Sequence, residues 1–386
     1  MLPPEGHPAA SSGQVCHLQK SLYGLKQASR QWNTEFCGEL LDFGFSQSYD
    51  HCFFYQQSGS HFTCLIIYVD DVLVTGSDPQ CIAALKAYLD RLFTIKELGF
   101  AKYFLRVELA RDAAGTYLNQ RKYILDILAN VGMMDCRPAS TPFPQGLKLV
   151  GKSGILLTDP DKYCRLVGRL LYLNLTRPDI TFCVQQLGQF VNSLSSSHWD
   201  AAIHVLGYLK GCPSKGFYYS AGGDSSLVAY CDADWATYPN TRRSVTGYCI
   251  FLGGSLISWK TKKQCTVSRS SAEAEYRALS MTVCELQWIS YIASNFQLSI
   301  PTPIPLFCDN QGTLHIVANL VFHECTKHLD IDCHLVRDQF KSSFVIPQKV
   351  SSHLQLADMF TKALGPVVFA FLTSKLGMKD LHLGPT

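Results

Sequence analysis

The sequence has no CxxC pair, no internal repeat, no low-complexity segment and no uncharged apolar run of membrane-spanning length. The last absence argues against a membrane partner. The 16 cysteines are scattered, often inside apolar stretches, rather than spaced as a disulfide framework or a zinc site. That is the usage of reduced, buried thiols in an intracellular protein. The opening Met1-Leu2-Pro3-Pro4-Glu5-Gly6 lacks the apolar core of a secretory signal, so secretion is not expected. Charge is scarce as well. Only 17% of residues are charged, and a net charge of +3 permits a nucleic-acid partner without demanding one. Apolar residues are plentiful: 47% of 386 residues are hydrophobic, enough for two or three domains with cores and too many for a disordered tail.

The stretch from Leu65 to Gly76 reads as two apolar strands joined at Asp70-Asp71. Branched and aromatic flanks favour strands, and Asp favours the turn. Two adjacent carboxylates on a buried hairpin repel unless a cation lies between them, and hard cations such as Mg²⁺ take carboxylate oxygens. The plain alternative is a polar hairpin turn. Upstream, Trp32, Phe36, Leu40 and Leu41 give a helical pattern from Gln27 onward, with Lys26, Gln27 and Arg30 near its start. Those groups either face phosphates or a base pair, or form a solvated first turn. Asp78 before Pro79 predicts an N-cap for a helix over 78–93. A strand follows over 103–110 and a helix over 121–131. Pro138 to Pro144 reads as a linker, 160–212 as a helical block interrupted at Pro178, and Gly222-Gly223 as a second boundary.

The last third predicts strands over 227–231, 245–252 and 256–259, with Gly253-Gly254 as a turn. Ser270-Ser271-Ala272-Glu273 is a capping box opening a helix to about residue 295. A strand over 304–308, a short helix capped by Asp309, a helix over 323–340, a strand over 344–350 and a closing helix over 354–364 complete an α/β or α+β layer pattern. Asp232 and Asp309 end strands, while Glu275 and Asp358 lie in helices, so the four carboxylates can converge at one end of a sheet. Clustered carboxylates call for Mg²⁺ or Mn²⁺, and two ions about 4 Å apart clamp both oxygens of an in-line phosphoryl displacement. Alternatives stay open: Asp309 as an N-cap, Asp358 as a dipole partner, Asp234 in place of Asp232, and His353 as an ordinary loop histidine rather than a proton carrier. Arg242, Arg243, Lys260, Lys262, Lys263 and Arg269 either follow a phosphate backbone or form a solvated face.

Seven segments together carry a resemblance: Ser21 to Ala28, Tyr68-Val69-Asp70-Asp71, Thr176-Arg177-Pro178-Asp179-Ile180, Asp232-Ala233-Asp234-Trp235-Ala236, Arg242 to Tyr248, Ser270 to Tyr276, and Ala357 to Lys362. In this order they resemble the C-terminal part of Ty1/copia-type retrotransposon Pol polyproteins, plant copia elements most of all. The resemblance implies an α+β chain. Its expected parts are a partial reverse transcriptase of palm and fingers over 1–145, a mainly helical connection over 146–222, a ribonuclease H-like α/β domain with a mixed sheet over 223–366, and a tail over 367–386.

It further implies that Asp70 and Asp71 are polymerase metal ligands and that Gln27 contacts template and incoming nucleotide. Asp232, Glu275, Asp309 and Asp358 match the nuclease metal ligands, and His353 the catalytic-loop histidine. Implied partners are an RNA–DNA hybrid, an RNA template with DNA primer, and dNTPs. The implied location is the cytoplasm, in a virus-like particle, or the nucleus. Departures from the family pattern are Arg106 for a usual Gly, Ser29 for a usual Pro, Cys325 for a usual Arg, and no segment with the first polymerase Asp ahead of Pro3-Pro4. Primer extension by this chain alone is therefore not expected. The protease and integrase parts are absent too, and the runner-up reading is a catalytically silent remnant that binds hybrids.

Overall fold

The computed structural model describes the chain apart from residues 1, 4, 9–12, 18, 20, 21, 23, 152–154, 192–193, 319–329 and 381–386. Cys325 and the first part of the helix expected over 323–340 lie outside the described residues. Two compact units divide at Gly99. The first, over 1–99, contains helix α1 (Ala28–Asp42), strands β1 (Ser46–Gln47), β2 (Phe53–Ser58), β3 (His61–Tyr68) and β4 (Asp71–Gly76), and helix α2 (Pro79–Phe93). The strands form an antiparallel sheet in the order β1-β2-β3-β4. Leu65 and Ile67 of β3 meet Phe36, Leu40, Leu85 and Leu89 from the helices in one core. Asp78 caps α2 as expected, its Oδ1 accepting from the Gln80 and Cys81 N–H groups at 3.0 Å each.

The β3–β4 hairpin corrects one expectation. Asp70 lies in a two-residue turn with Val69, while Asp71 opens β4 opposite Tyr68. Both carboxylates are exposed rather than buried, because strand alternation turns Leu65 and Ile67 inward and leaves the tip in solvent. Val69 takes φ +55°, a left-handed conformation that costs a β-branched residue about 1–3 kcal/mol.

The second unit, over 100–386, holds two sheets. One is antiparallel, built from β5 (Tyr103–Phe104), β6 (Val107–Arg111), β7 (Gly115–Asn119), β8 (Lys215–Ser220) and β14 (Met378–Asp380), in the order β14-β8-β7-β6-β5. Helices α3 (Arg121–Val131), α4 (Pro160–Leu173), α5 (Thr181–Leu187) and α6 (Ser196–Gly211) form the helical block. The other sheet contains β9 (Leu227–Asp234), β10 (Val245–Leu252), β11 (Ser255–Lys263), β12 (Ile304–Cys308) and β13 (Val345–Lys349), in the order β11-β10-β9-β12-β13. Its first three strands are antiparallel, and β12 runs parallel to both β9 and β13. Helices α7 (Ser271–Asn295), α8 (Gln311–Ala318), α9 (Asp330–Lys341) and α10 (Pro366–Lys375) complete the unit.

Alternation along β9 and β10 gives this mixed sheet two buried faces. Leu227, Ala229, Cys231, Tyr248 and Ile250 pack against Leu279, Val283 and Leu286 of α7 and Val336 of α9. Cys249, Phe251 and Leu256 join a second core with Leu166, Leu170, Val184 and Leu206 of the helical block and Phe369 and Leu372 of α10. The helical block expected as a connection is thus the cover of the sheet's second face. Residues expected as a tail form α10 and an edge strand, with Met378 paired to Phe217. The closing helix expected over 354–364 is instead two 3₁₀ turns, Ser352–Leu354 and Leu356–Phe360.

The shared core decides where the chain can be cut. A fragment of residues 223–366 exposes Cys249, Phe251, Leu256, Met359 and Phe360, each losing about 1.5–3 kcal/mol of burial. It should aggregate in size-exclusion chromatography, whereas 100–386 should elute as a folded species with a cooperative thermal transition. A monomeric, cooperatively melting 223–366 fragment would contradict this.

Candidate functional site

Four acidic side chains meet at the end of the mixed sheet where β9 and β12 terminate. Asp232 lies inside β9 rather than at its end, opposite Gly247 of β10, and is 2% exposed. Glu275 sits in the first turns of α7 and is 5% exposed. Asp309 follows β12, and Asp358 lies in the second 3₁₀ turn. Asp232 and Asp309 both act electrostatically on Glu275 and on Asp358, so the four form one cluster.

The local sequence explains each placement. Ser270 caps α7, accepting from the Glu273 N–H at 3.2 Å. Glu273 returns its carboxylate to the Arg269 N–H at 2.7 Å and pairs with Arg277 at 2.9 Å, which leaves Glu275 to face the sheet. Asn310, not Asp309, caps α8, its Oδ1 accepting from the Thr313 N–H at 3.0 Å. Asp309 is thereby free of the capping role expected for it, and its Oδ2 accepts from the Ser352 hydroxyl at 2.8 Å.

The 3₁₀ segment is pinned to the sheet by groups whose individual roles the sequence leaves unassigned, although Gly247, Thr361 and Lys362 lie in two of the segments that carry the resemblance. Buried Gln355 donates from Nε2 to the Cys231 carbonyl at 2.9 Å, and the Thr261 hydroxyl donates to the Phe360 carbonyl at 2.7 Å. Gly247 permits the approach, since a Cβ there would lie 2.6 Å from Thr361 Cγ2 and 2.8 Å from Phe360 Cβ. The Thr361 hydroxyl donates to Asp232 Oδ2. Lys362 reaches Asp232 Oδ2 at 3.3 Å and Asp358 Oδ1 at 2.6 Å, so its ammonium bridges two of the four carboxylates.

Electrostatics follow from burial and crowding. Burial, then the charge of Asp232, the Cys308 thiol and the charge of Asp309, push Glu275 well up, to about 11. Burial and Asp232 raise Asp358 to about 7, against the opposing pull of Lys362. Lys362 is itself held well above the ordinary lysine value: burial opposes its charge, but Asp232 and Asp358 outweigh it. Burial also raises Asp234, which shares a strand face with Asp232. It is Asp232 that receives the bonds from Thr361 and Lys362. Four converging carboxylates against a single ammonium leave an excess of negative charge, and an oxygen-rich set of that kind fits a hard divalent cation.

The remaining expected residues are dispersed. His353 is exposed in the first 3₁₀ turn, beside the Ser352 that bonds Asp309. Arg242, Lys260, Lys262 and Arg269 are exposed, and Arg243 is half-buried. Lys263 is already engaged: its ammonium lies 4.2 Å from the Tyr238 ring centre and donates to Gln189 Oε1 at 2.9 Å. It is thereby committed to the protein's own side chains. In the other unit, Lys26 and Gln27 immediately precede α1 and Arg30 lies in its first turn, all exposed. Asp70 and Asp71 belong to that unit, and Arg106, with φ +62°, stacks 5.1 Å from the Tyr123 ring centre in the second.

Comparison with known proteins bears on both units. Residues 1–145 match the family model described as reverse transcriptase (RNA-dependent DNA polymerase). The chain is 42% identical over 365 residues to the retrovirus-related Pol polyprotein from transposon RE1 of Arabidopsis thaliana, covering 94% of this chain and 25% of that one. It is 30% identical over 276 residues to a transposon Ty5-1 protein of Saccharomyces cerevisiae, covering 70% of this chain and 90% of that one. The N-terminal RNase H domain of rv2228c from Mycobacterium tuberculosis aligns with 39% of this chain and 98% of its own, at 11% identity and a TM-score of 0.28. The chain spans about a quarter of the length of the Arabidopsis Pol polyprotein. No helix among the described residues is long and apolar enough to cross a membrane.

Proposed function

The chain belongs to the Pol polyproteins of Ty1/copia-type retrotransposons, and from that premise we propose that its second unit is a ribonuclease H cleaving the RNA strand of RNA–DNA hybrids. The observation that carries the reading is the convergence of Asp232, Glu275, Asp309 and Asp358 at one end of a mixed sheet, with Lys362 between two of them. These four residues would hold Mg²⁺, or Mn²⁺ in its place. A divalent cation bound there would polarise the scissile phosphate and favour ionisation of the attacking water.

The chain's own groups supply the rest. Thr361 and Lys362 fix Asp232 and Asp358 relative to each other, and Ser352 orients Asp309. His353, exposed at the rim, takes or delivers a proton as the product leaves. Arg242, Arg243, Lys260, Lys262 and Arg269 follow the hybrid's phosphates, so binding reads backbone shape rather than base sequence. Residues 1–99 contribute to a reverse-transcriptase region in which Asp70 and Asp71 are metal ligands and Lys26, Gln27 and Arg30 approach template, primer and dNTP.

The test is cleavage of a labelled RNA–DNA hybrid by the purified chain. Mg²⁺-dependent scission confined to the RNA strand is expected. Hybrid binding by folded protein without any scission would overturn the nuclease reading and leave a binding remnant.

A further inference from the structure

The carboxylate cluster has two chemically different sides. On the face of the sheet turned to the helical block stand Asp232, Asp358 and Lys362, which offer oxygen and an ammonium. On the face turned to α7 stand two thiols. Cys231 and Cys308 lie on the adjacent parallel strands β9 and β12, whose register places Phe307 opposite Tyr230. Each immediately precedes a carboxylate of the cluster, Asp232 and Asp309. Both are free and buried, side by side on neighbouring strands. The Cys308 thiol donates to Glu275 Oε2, at 3.9 Å. One ligand atom from each of Glu275, Cys308 and Asp309 lies within 4.8 Å of the other two.

We propose that Cys308, Glu275 and Asp309, with Cys231 alongside, form a site for a thiophilic divalent cation such as zinc or cadmium. This site shares two carboxylates with the hard-cation site, so the two ions exclude one another.

The geometry is close to what such an ion requires. Tetrahedral zinc with bonds of about 2.3 Å to sulfur and about 2.0 Å to oxygen sets ligand atoms about 3.5 Å apart. The observed 3.9 Å between Cys308 Sγ and Glu275 Oε2 closes with a shift of a few tenths of an ångström. Ligand softness supplies selectivity: thiolate selects zinc and its heavier relatives, while Mg²⁺ stays with oxygen. On binding, the ion displaces the Cys308 thiol proton and any proton carried by Glu275 to solvent, leaving one thiolate and two carboxylates as ligands. Glu275 is 5% exposed and Cys308 fully buried, while half-buried Asp309 leaves one side of the site open to solvent. Zinc held there would occupy Glu275 and Asp309 and act as an inhibitor of a Mg²⁺-dependent reaction.

Binding is measurable whether or not the chain cleaves hybrids. The full chain, with thiols reduced, is titrated with Cd²⁺ alone while the ultraviolet thiolate-to-cadmium band is followed. The same titration is made on Cys308→Ser and Cys308→Val, so that at least one folded variant is compared. The other cysteines contribute equally to all three proteins. Wild type should bind one more tight Cd²⁺ equivalent than either variant, and Mg²⁺ in large excess should weaken that site at least tenfold. Zn²⁺ inhibition of hybrid cleavage, referred to each protein's own zinc-free rate, should shift at least tenfold to higher zinc in the variants. Identical cadmium stoichiometry and band intensity in wild type and a folded Cys308 variant would overturn the site. So would a wild-type site indifferent to Mg²⁺, which would lie elsewhere.

Discussion

Asp232→Asn should lower Mg²⁺-dependent hybrid cleavage by about a thousandfold or more, with the thermal midpoint almost unmoved. A cation ligand's contribution of several kcal/mol to transition-state charge stabilisation corresponds to a rate factor of that size. The fold should tolerate the change because Asn keeps an oxygen for the Thr361 hydroxyl, and Lys362 retains Asp358 at 2.6 Å. Removing one of the charges that crowd Glu275 also relieves repulsion in the cluster. Glu275→Gln should be equally inactive. Glu273→Gln is the control. Its oxygen still accepts from the Arg269 N–H, and the loss is confined to the charge it shares with Arg277, away from the four carboxylates, so the cost falls on helix stability. Activity surviving in Asp232→Asn, or lost in Glu273→Gln but kept in Glu275→Gln, would refute the assignment.

The largest stability effect is expected at Arg177 and Asp179. Both side chains are fully buried, and the guanidinium is bidentate, Nε to Oδ1 at 2.9 Å and Nη2 to Oδ2 at 2.8 Å. Nη1 donates to the Cys212 carbonyl at 3.0 Å, and the Tyr208 hydroxyl donates to Asp179. Arg177→Met strands the Asp179 carboxylate and should cost about 3–5 kcal/mol, whereas Arg177→Met with Asp179→Leu should recover much of it. Burial alone would raise the Asp179 carboxyl, but the Arg177 charge overrides burial and holds it below the ordinary carboxylate range. The contribution is therefore present above the unfolded value of about 3.9 and lost as pH falls through the lower folded value. Urea midpoints measured from pH 6 downward should fall more steeply for wild type below about pH 4 than for the double variant. Parallel profiles would show that the pair does not set acid stability.

What the sequence discloses and what it withholds differ by range along the chain. Asp78 before Pro79 and Ser270 before Glu273 are local hydrogen-bond patterns, and both helices begin where those residues place them. Strand alternation through β9 and β10 is likewise readable from neighbouring side chains. Gln355, Thr361, Lys362 and Gly247 act through partners more than a hundred residues away: Gly247, Thr361 and Lys362 fall in segments that carry the resemblance, yet their spacing does not disclose what they touch, and Gln355 falls in none of them. The segment 354–364 reads as a helix because Leu356, Met359 and Phe360 have spacings that suit an α or a 3₁₀ turn equally; packing on Gly247 selects the tighter form. Asp309 and Asn310 are both good caps, and only the observed bond to the Thr313 N–H separates them. Strands β8 and β14 are short and owe their existence to pairing, so their own composition is a weak signal.

That pairing also sets a schedule for synthesis. In the antiparallel sheet, β7 and β8 join residues about a hundred positions apart, and β14 then adds Met378 against Phe217. The Tyr117 hydroxyl closes the arrangement on the Lys379 carbonyl at 2.9 Å. A ribosome-bound chain lacking residues 366–380 has neither α10 to complete the shared core nor the outer strand of this sheet. The first unit is compact within residues 1–99, so it can fold while translation continues. The second must wait for its last strand to leave the exit tunnel, with long loops still to close. During that interval the apolar face of the mixed sheet is an open target for chaperones. Slow codons or a stall near residue 360 should therefore lower the yield of the folded second unit while sparing the first.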